Sequence, residues 1–378
     1  MRIQSKRVWI ADEFVPAIIE FSEQKITNIL PYDSDTIDAD YGDFRIVPGF
    51  IDVHCHGAFK FDTNDATEEG LRLWTSRLPL EGVTSFLPTT ITQSKGVLTK
   101  ALSNVASVME SEYEGAEILG IHLEGPFLNK SYKGAQPETH ILKPDIETFK
   151  EFQIAAKGNI KVTTLATELD EDFALTKYLS ETGVVASIGH SGATFKDAEC
   201  ALSNGAKSIT HVYNCMPGFH HRDNGLLGAA FGLPVYSEII PDGQHASFIA
   251  VYTFFMAKGP DYGILITDSL SAKGLPIGSE FLFGGNLIKI EDDGTARLKD
   301  AGNLAGSTLS IHEGLRNLVE KAGVPFLYAM NACTKNPATM LGVDDRKGYI
   351  KVGYDADIVV LSDDYAVLQT YCKGKETI

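Results

Sequence analysis

Short stretches of alternating or β-branched residues open the chain, at positions 7–10, 17–21, 25–30 and 36–39, with no helical periodicity among them. The same texture returns near the carboxyl end, at positions 348–353, 356–361 and 366–371, so the two ends are expected to pair into one small β-sandwich. Between them, apolar segments at 50–53, 83–87, 117–123, 160–165, 184–188, 208–211, 237–240 and 262–267 alternate with longer stretches that suit helices. Strands alternating with helices in this number predict an α/β fold built on a (β/α)8 barrel, whose reactive groups gather at the carboxyl ends of the strands. Within 275–299 the alternation breaks at Gly284-Gly285 and at an Asp292-Asp293-Gly294 turn, which predicts a β-hairpin inserted at about 275–303. The expected organisation is therefore a discontinuous small domain, 1–48 with 345–378, and a catalytic barrel, 49–344.

Composition narrows the setting. The 378 residues are 44% hydrophobic and 22% charged, and no apolar run reaches the roughly 18 residues of a membrane span. The first residues lack the apolar centre and small-residue cleavage site of a secretory signal, which predicts a cytoplasmic protein. Five scattered cysteines, Cys55, Cys200, Cys215, Cys333 and Cys372, form no CxxC pair and fit reduced thiols. A formal charge of -17 with no basic cluster argues against nucleic acid as a partner. Any anion site must then be assembled locally from a few Arg, His and backbone N–H groups.

The sharpest chemical signal is Asp52-Val53-His54-Cys55-His56-Gly57, at the end of the first barrel segment. Residues two apart on a strand share a face, so His54 and His56 point together toward the barrel axis, while Cys55 points away into packing. A pair of neutral imidazoles binds divalent ions such as Zn or Fe. Single histidines, His190 and His211, fall at the ends of two further segments, and Glu124, in His122-Leu123-Glu124-Gly125-Pro126-Phe127, ends the third, where it could bridge two ions. Asp268 ends the eighth segment and is the natural general base. His122 shares the face of Glu124 and is expected to hydrogen-bond nearby rather than ligate; His140 and His312 read as structural, and His220 and His221 as nonessential loop residues.

With these motifs the chain resembles the amidohydrolase superfamily and, more narrowly, the N-acetylglucosamine-6-phosphate deacetylases. The likeness spans nearly the whole chain and adds Pro48-Gly49-Phe50-Ile51, Thr210-His211-Val212-Tyr213-Asn214-Cys215-Met216, Asp242-Gly243-Gln244-His245, Thr267-Asp268-Ser269 and Leu304-Ala305-Gly306-Ser307. It implies that Glu124, His190 and His211 hold one metal ion and that His54 and His56 offer a second site, with one or two divalent ions (Zn, Fe, Mn or Co) per subunit. It further implies substrate contacts from Ala135, Gln136, Asn214, Cys215, Arg222, His245, Leu304, Ala305 and Gly306, with Arg222 and His245 meeting a phosphate. In the family that Arg comes from the neighbouring subunit, which implies a homodimer. Some relatives carry histidine where this chain has Gln136.

The reaction so implied is hydrolysis of the acetamide of N-acetyl-D-glucosamine 6-phosphate to D-glucosamine 6-phosphate and acetate, in amino-sugar catabolism and cell-wall sugar recycling. A metal-acidified water would give its proton to Asp268, which would return it to the leaving nitrogen. The sequence leaves open an N-acetylgalactosamine-6-phosphate deacetylase, an N-acyl-amino-acid deacylase and a non-catalytic sugar-phosphate-binding protein.

Overall fold

A computed structural model describes residues 1–300 and 302–377; Ala301 and Ile378, inside the expected insertion and terminal unit, lie outside the described residues. All eight barrel segments are strands: Phe50–Cys55, Val83–Thr90, Ile121–Glu124, Ile160–Leu165, Val185–Ile188, Ala206–Ile209, Tyr236–Ile239 and Gly263–Leu265, each parallel to its neighbour. A short preceding strand, Glu117–Ile118, begins the third. Parallel strands covered on both faces carry near-continuous apolar runs, and Phe50–Cys55 and Val83–Thr90 are buried at every position. The ring closes just beyond the eighth strand, where the Asp268 N–H donates to the His54 carbonyl at 2.9 Å and the Thr267 hydroxyl donates to Asp52 at 2.6 Å.

Helices fill the connections, and their starts follow the local chemistry. Lys95–Met109 is capped by the Ser94 hydroxyl, Ile146–Ala155 by Asp145, and Phe195–Ser203 by a reciprocal Thr194/Asp197 box. Among the described residues no helix is long and apolar enough to cross a membrane. Inside the barrel the packing changes character along its axis. One apolar cluster joins Ile51, Val162, Val185 and Ile264 to Ala338 and Met340. A chain of buried hydroxyls also crosses between the strands: Ser187 to Thr210 at 2.7 Å, Thr210 to Thr164 at 2.8 Å, and Thr164 to His122 at 2.7 Å.

The termini meet as the pattern predicts. Arg45–Pro48 lies between Arg2–Ile10, which runs parallel to it, and Ile358–Leu361, which runs antiparallel. Glu13–Ser22 and Lys25–Pro31 extend one flank, Val367–Cys372 and Lys375–Glu376 the other. Positions 348–353 are not the strand their apolar alternation suggests. Gly348 and Gly353 take φ of 85° and 88°, and the segment turns so that the Gly353 N–H reaches the Ile26 carbonyl. The insertion exceeds a hairpin: Glu280–Phe283, Asn286–Ile290 and Ala296–Leu298 form a three-stranded antiparallel sheet. Its Phe283 ring meets the edge of His56, 5.4 Å between centroids.

Candidate active site

The carboxyl ends of the strands deliver the charged residues to one point. Glu124, the last residue of the third strand, lies at the centre: its Oε1 is 3.2 Å from His190 Nε2, 3.1 Å from His211 Nε2 and 3.4 Å from His54 Nε2, and its Oε2 is 3.4 Å from His56 Nε2. Asp268 faces the HxH pair, its Oδ1 3.2 Å from His56 Nε2 and 3.5 Å from His54 Nε2. His190, His211 and Asp268 leave their strands with φ of 48°, 28° and 48°. Non-glycine residues rarely adopt these values, and such strain is concentrated at sites where the surrounding packing holds a side chain in a required direction.

The donors fit a divalent cation. Glu124, His190 and His211 bring ligand atoms within 4.8 Å of one another, and so do His54, His56 and Asp268. His190 Nε2 and His211 Nε2 face each other at 3.1 Å, a contact unfavourable if both carry protons and natural if both lone pairs meet a common cation. His54 Nε2 is buried with no hydrogen-bond partner among the described residues.

Electrostatics tell the same story. Burial disfavours charge on His54, but Glu124, Glu238 and Asp268 outweigh it and raise the imidazole well above its ordinary value. Burial likewise opposes charge on His56, which hydrogen bonds to Asp268 and Glu124 lift to about 9. Glu124 is raised by burial yet held well below the carboxylate range by His54 and His190. Asp268 is lowered in the same way, His54 and His56 overcoming burial. The carboxylates thus demand positive charge, which protons or a cation can supply.

His122 is bonded at both ring nitrogens, to the Val53 carbonyl at 3.0 Å and to Thr164 at 2.7 Å, so it supports the site without joining it. Burial, reinforced by the neighbouring His54, holds its imidazole well below the ordinary value.

A cleft above the ions' donors is lined by Ala135, Gln136, Asn214, Cys215, His245, Leu304 and Gly306, together with Ile91, Leu270 and Phe283. Gln136 is fixed at both ends, accepting from the Thr92 N–H at 2.8 Å and donating to Glu124 Oε2 at 2.6 Å. His245 Nδ1 pairs with Asp242 at 2.7 Å; burial disfavours its charge, but Asp242 raises the imidazole above its ordinary value. Gly306, with φ of 56°, lies so close to the segment beyond strand eight that a Cβ would meet the Asp268 carbonyl at 2.8 Å.

Two expected contacts lie elsewhere. Ala305 is buried, its N–H spent on the Ala296 carbonyl, because residues 304–307 are zipped between the inserted sheet and the segment just beyond strand eight. Arg222 is exposed and away from the cleft lining, its guanidinium 2.8 Å from His221. No sequence motif points to Glu238, yet it is buried in the seventh strand and lies 2.9 Å from His54 Nδ1. A lone glutamate inside an apolar segment was the available signal.

A parallel barrel with an HxH pair on strand one, a central carboxylate on strand three, histidines after strands five and six and an aspartate after strand eight has the layout of a hydrolase built around divalent metal. The chain belongs to the amidohydrolase family, whose model matches residues 45–377, and within it to the N-acetylglucosamine-6-phosphate deacetylases. It is similar to the N-acetylglucosamine-6-phosphate deacetylase of Bacillus subtilis (strain 168), 44% identical over 336 residues that cover 88% of this chain and 84% of that protein. The human protein of the same name is 35% identical over 349 residues, 89% of this chain and 84% of its own. Among solved structures, a variant of the Mycobacterium smegmatis deacetylase in complex with N-acetyl-D-glucosamine-6-phosphate superposes with a TM-score of 0.94 at 27% identity, covering 100% of this chain and 99% of the other. The Thermotoga maritima deacetylase gives 0.89 at 30% identity, with 100% and 99% covered.

Proposed function

We propose that this protein hydrolyses the acetamide of N-acetyl-D-glucosamine 6-phosphate, releasing acetate and D-glucosamine 6-phosphate. The observation that carries the reading is the convergence of Asp268, Glu124 and four imidazoles at the floor of a cleft that also presents Gln136 and His245.

Glu124, His190 and His211 would hold one divalent ion, and His54 and His56, with Glu124 between the two groups, a second. Such an ion polarises the amide carbonyl and brings the acidity of water close to neutrality. Zinc is the first choice for imidazole and carboxylate donors, with Fe, Mn and Co as alternatives. Asp268, kept ionised by its imidazole neighbours, takes the proton of the attacking water and returns it to the departing nitrogen. One N–H of Gln136 is committed to Glu124, and its second is the donor we assign to the acetyl oxygen. His245, whose charged form Asp242 favours, meets the phosphate; Cys215, Asn214, Ala135, Leu304 and Gly306 shape the sugar pocket.

Arg222 is assigned to the substrate phosphate in a neighbouring subunit of a cytoplasmic homodimer; its exposure on a loop outside its own cleft supports this reading. Sedimentation should then give a dimer, and Arg222→Ala should raise KM for the phosphorylated sugar more than tenfold while leaving the KM for the unphosphorylated sugar in place.

The decisive assay is acetate release from N-acetylglucosamine 6-phosphate beside the unphosphorylated sugar and the galacto epimer, before chelation, after it, and after Zn2+ is restored. Chelator-sensitive release that requires the phosphate is expected. Metal-replete protein that ignores all three sugars would assign the site to a different amide.

A further inference from the structure

We infer that Glu238 is a positioning residue that fixes the His54 imidazole and thereby ties the two groups of metal donors into one unit. The inference rests on the reading of these residues as a metal centre and extends it to a residue outside the ligand set.

Glu238 sits in the seventh strand, Tyr236–Ile239, with no exposed surface. Its Oε2 lies 2.9 Å from His54 Nδ1 and also accepts the backbone N–H of His211 at 3.3 Å. One carboxylate oxygen therefore touches a histidine from each donor group, the side chain of one and the main chain of the other. Because a carboxylate only accepts, His54 must donate from Nδ1, and in the neutral imidazole that ligation requires this leaves the lone pair on Nε2. That nitrogen is the one aimed at Glu124 and Asp268, at 3.4 and 3.5 Å. With Nε2 protonated instead, the ring would lose both its bond to Glu238 and its capacity to ligate.

His54, His122 and Glu238 also bring ligand atoms within 4.8 Å of one another, which raises the alternative that Glu238 belongs to a separate ion site. The hydrogen bonds oppose it. Both nitrogens of His122 are committed, to the Val53 carbonyl and the Thr164 hydroxyl, and His54 Nδ1 is committed to Glu238 itself. No imidazole lone pair is left to converge there, and Glu238 Oε1, unpaired among the described residues, does not make a site alone. Glu238 also lacks access to substrate: it is absent from the cleft lining, so its influence passes through His54 and His211. Partners of ligating histidines of this kind typically change metal affinity or activity by about 10–100-fold when removed.

The test is Zn2+ binding, measured by calorimetry on chelated protein and by elemental analysis, for the wild type, Glu238→Gln and Glu238→Ala, with circular dichroism to verify folding. Glu238→Ala should weaken at least one Zn2+ by about 10–100-fold. Glu238→Gln, which keeps an oxygen to accept from Nδ1–H, should recover most of that loss. Zn2+ affinity in both variants within twofold of wild type would overturn the proposal, as would a Gln variant as impaired as Ala. If Glu238→Ala does not fold, nitrogen NMR of histidine-labelled, Zn2+-loaded wild type carries the test: a proton on His54 Nδ1 is expected, and an unprotonated Nδ1 refutes it. Neither readout uses the acetamide, so a protein inactive on the sugar would leave this result standing.

Discussion

The third barrel strand region carries a glutamate at each end, and the two have opposite surroundings. Glu117, at the amino end, meets Arg346 at 2.9 Å, Lys347 at 2.6 Å and Lys373 at 3.1 Å, cations whose charge is permanent. Glu124, at the carboxyl end, meets four imidazoles whose charge is conditional. Around Glu117 the ion pairs close on themselves: Lys347 also contacts Asp355 and Asp357, and Lys25 and Arg346 contact Asp355. Around Glu124 they do not close, and nitrogens such as His54 Nε2 stay without a hydrogen-bond partner among the described residues. One end of the barrel is balanced by its own fixed charges and welds the terminal sheet to it; the other leaves its balance to protons or a cation. This matches the division of a barrel into a stabilising amino-terminal face and a reactive carboxyl-terminal one.

The contrast is open to attack from either end. Asp268→Asn should cut kcat by about 10²–10⁴-fold, measured as acetate release, with Zn2+ content and melting temperature close to wild type; unchanged turnover would remove Asp268 from the chemistry. Lys347→Met leaves Glu117, Asp355 and Asp357 without their shared buried cation and should cost about 3–5 kcal/mol in denaturant unfolding, with Zn2+ affinity retained. A Zn2+ defect in that variant would show that the two ends are coupled. Restoring Zn2+ to chelated protein at a hundred times its Kd should add about 2.7 kcal/mol of stability, read as a rise in melting temperature.

The smallest effect is on pH. The Glu117 and Asp355 carboxyls, which burial alone would raise, are both held down to about 2 by Lys347 and its neighbouring cations. A depressed carboxylate stabilises the folded state above its ordinary pKa and loses that contribution as pH falls toward the folded value. Unfolding midpoints should therefore drop from about pH 4.5 toward pH 2, with Asp357, raised by burial, offsetting part of the loss. A flat profile across that window would deny the junction its electrostatic role.

The barrel and most of its reactive face were legible because their signals are local. Eight apolar segments, an HxH pair and carboxylates at segment ends need no knowledge of what packs where. The junction was illegible for the opposite reason. Asp344-Asp345-Arg346-Lys347 carries neither a periodicity nor a motif, and only the docking of the terminal sheet buries Lys347 to 1% side-chain exposure. Glu238 was hidden likewise, since a single glutamate in a four-residue strand does not announce which ring it will meet. Residues 348–353 misled because apolar alternation outweighed two glycines that the turn requires at positive φ.

The terminal sheet also sets a timetable for synthesis. Arg45–Pro48 leaves the ribosome well before its partner strand Ile358–Leu361, with the whole barrel made between them. At about 5–20 residues per second the gap lasts roughly 15–60 s, during which that strand offers an unpaired edge to other nascent chains. A chain truncated before Ile358 would keep that edge open permanently, so stalled or prematurely terminated products are expected to aggregate rather than persist as free barrels.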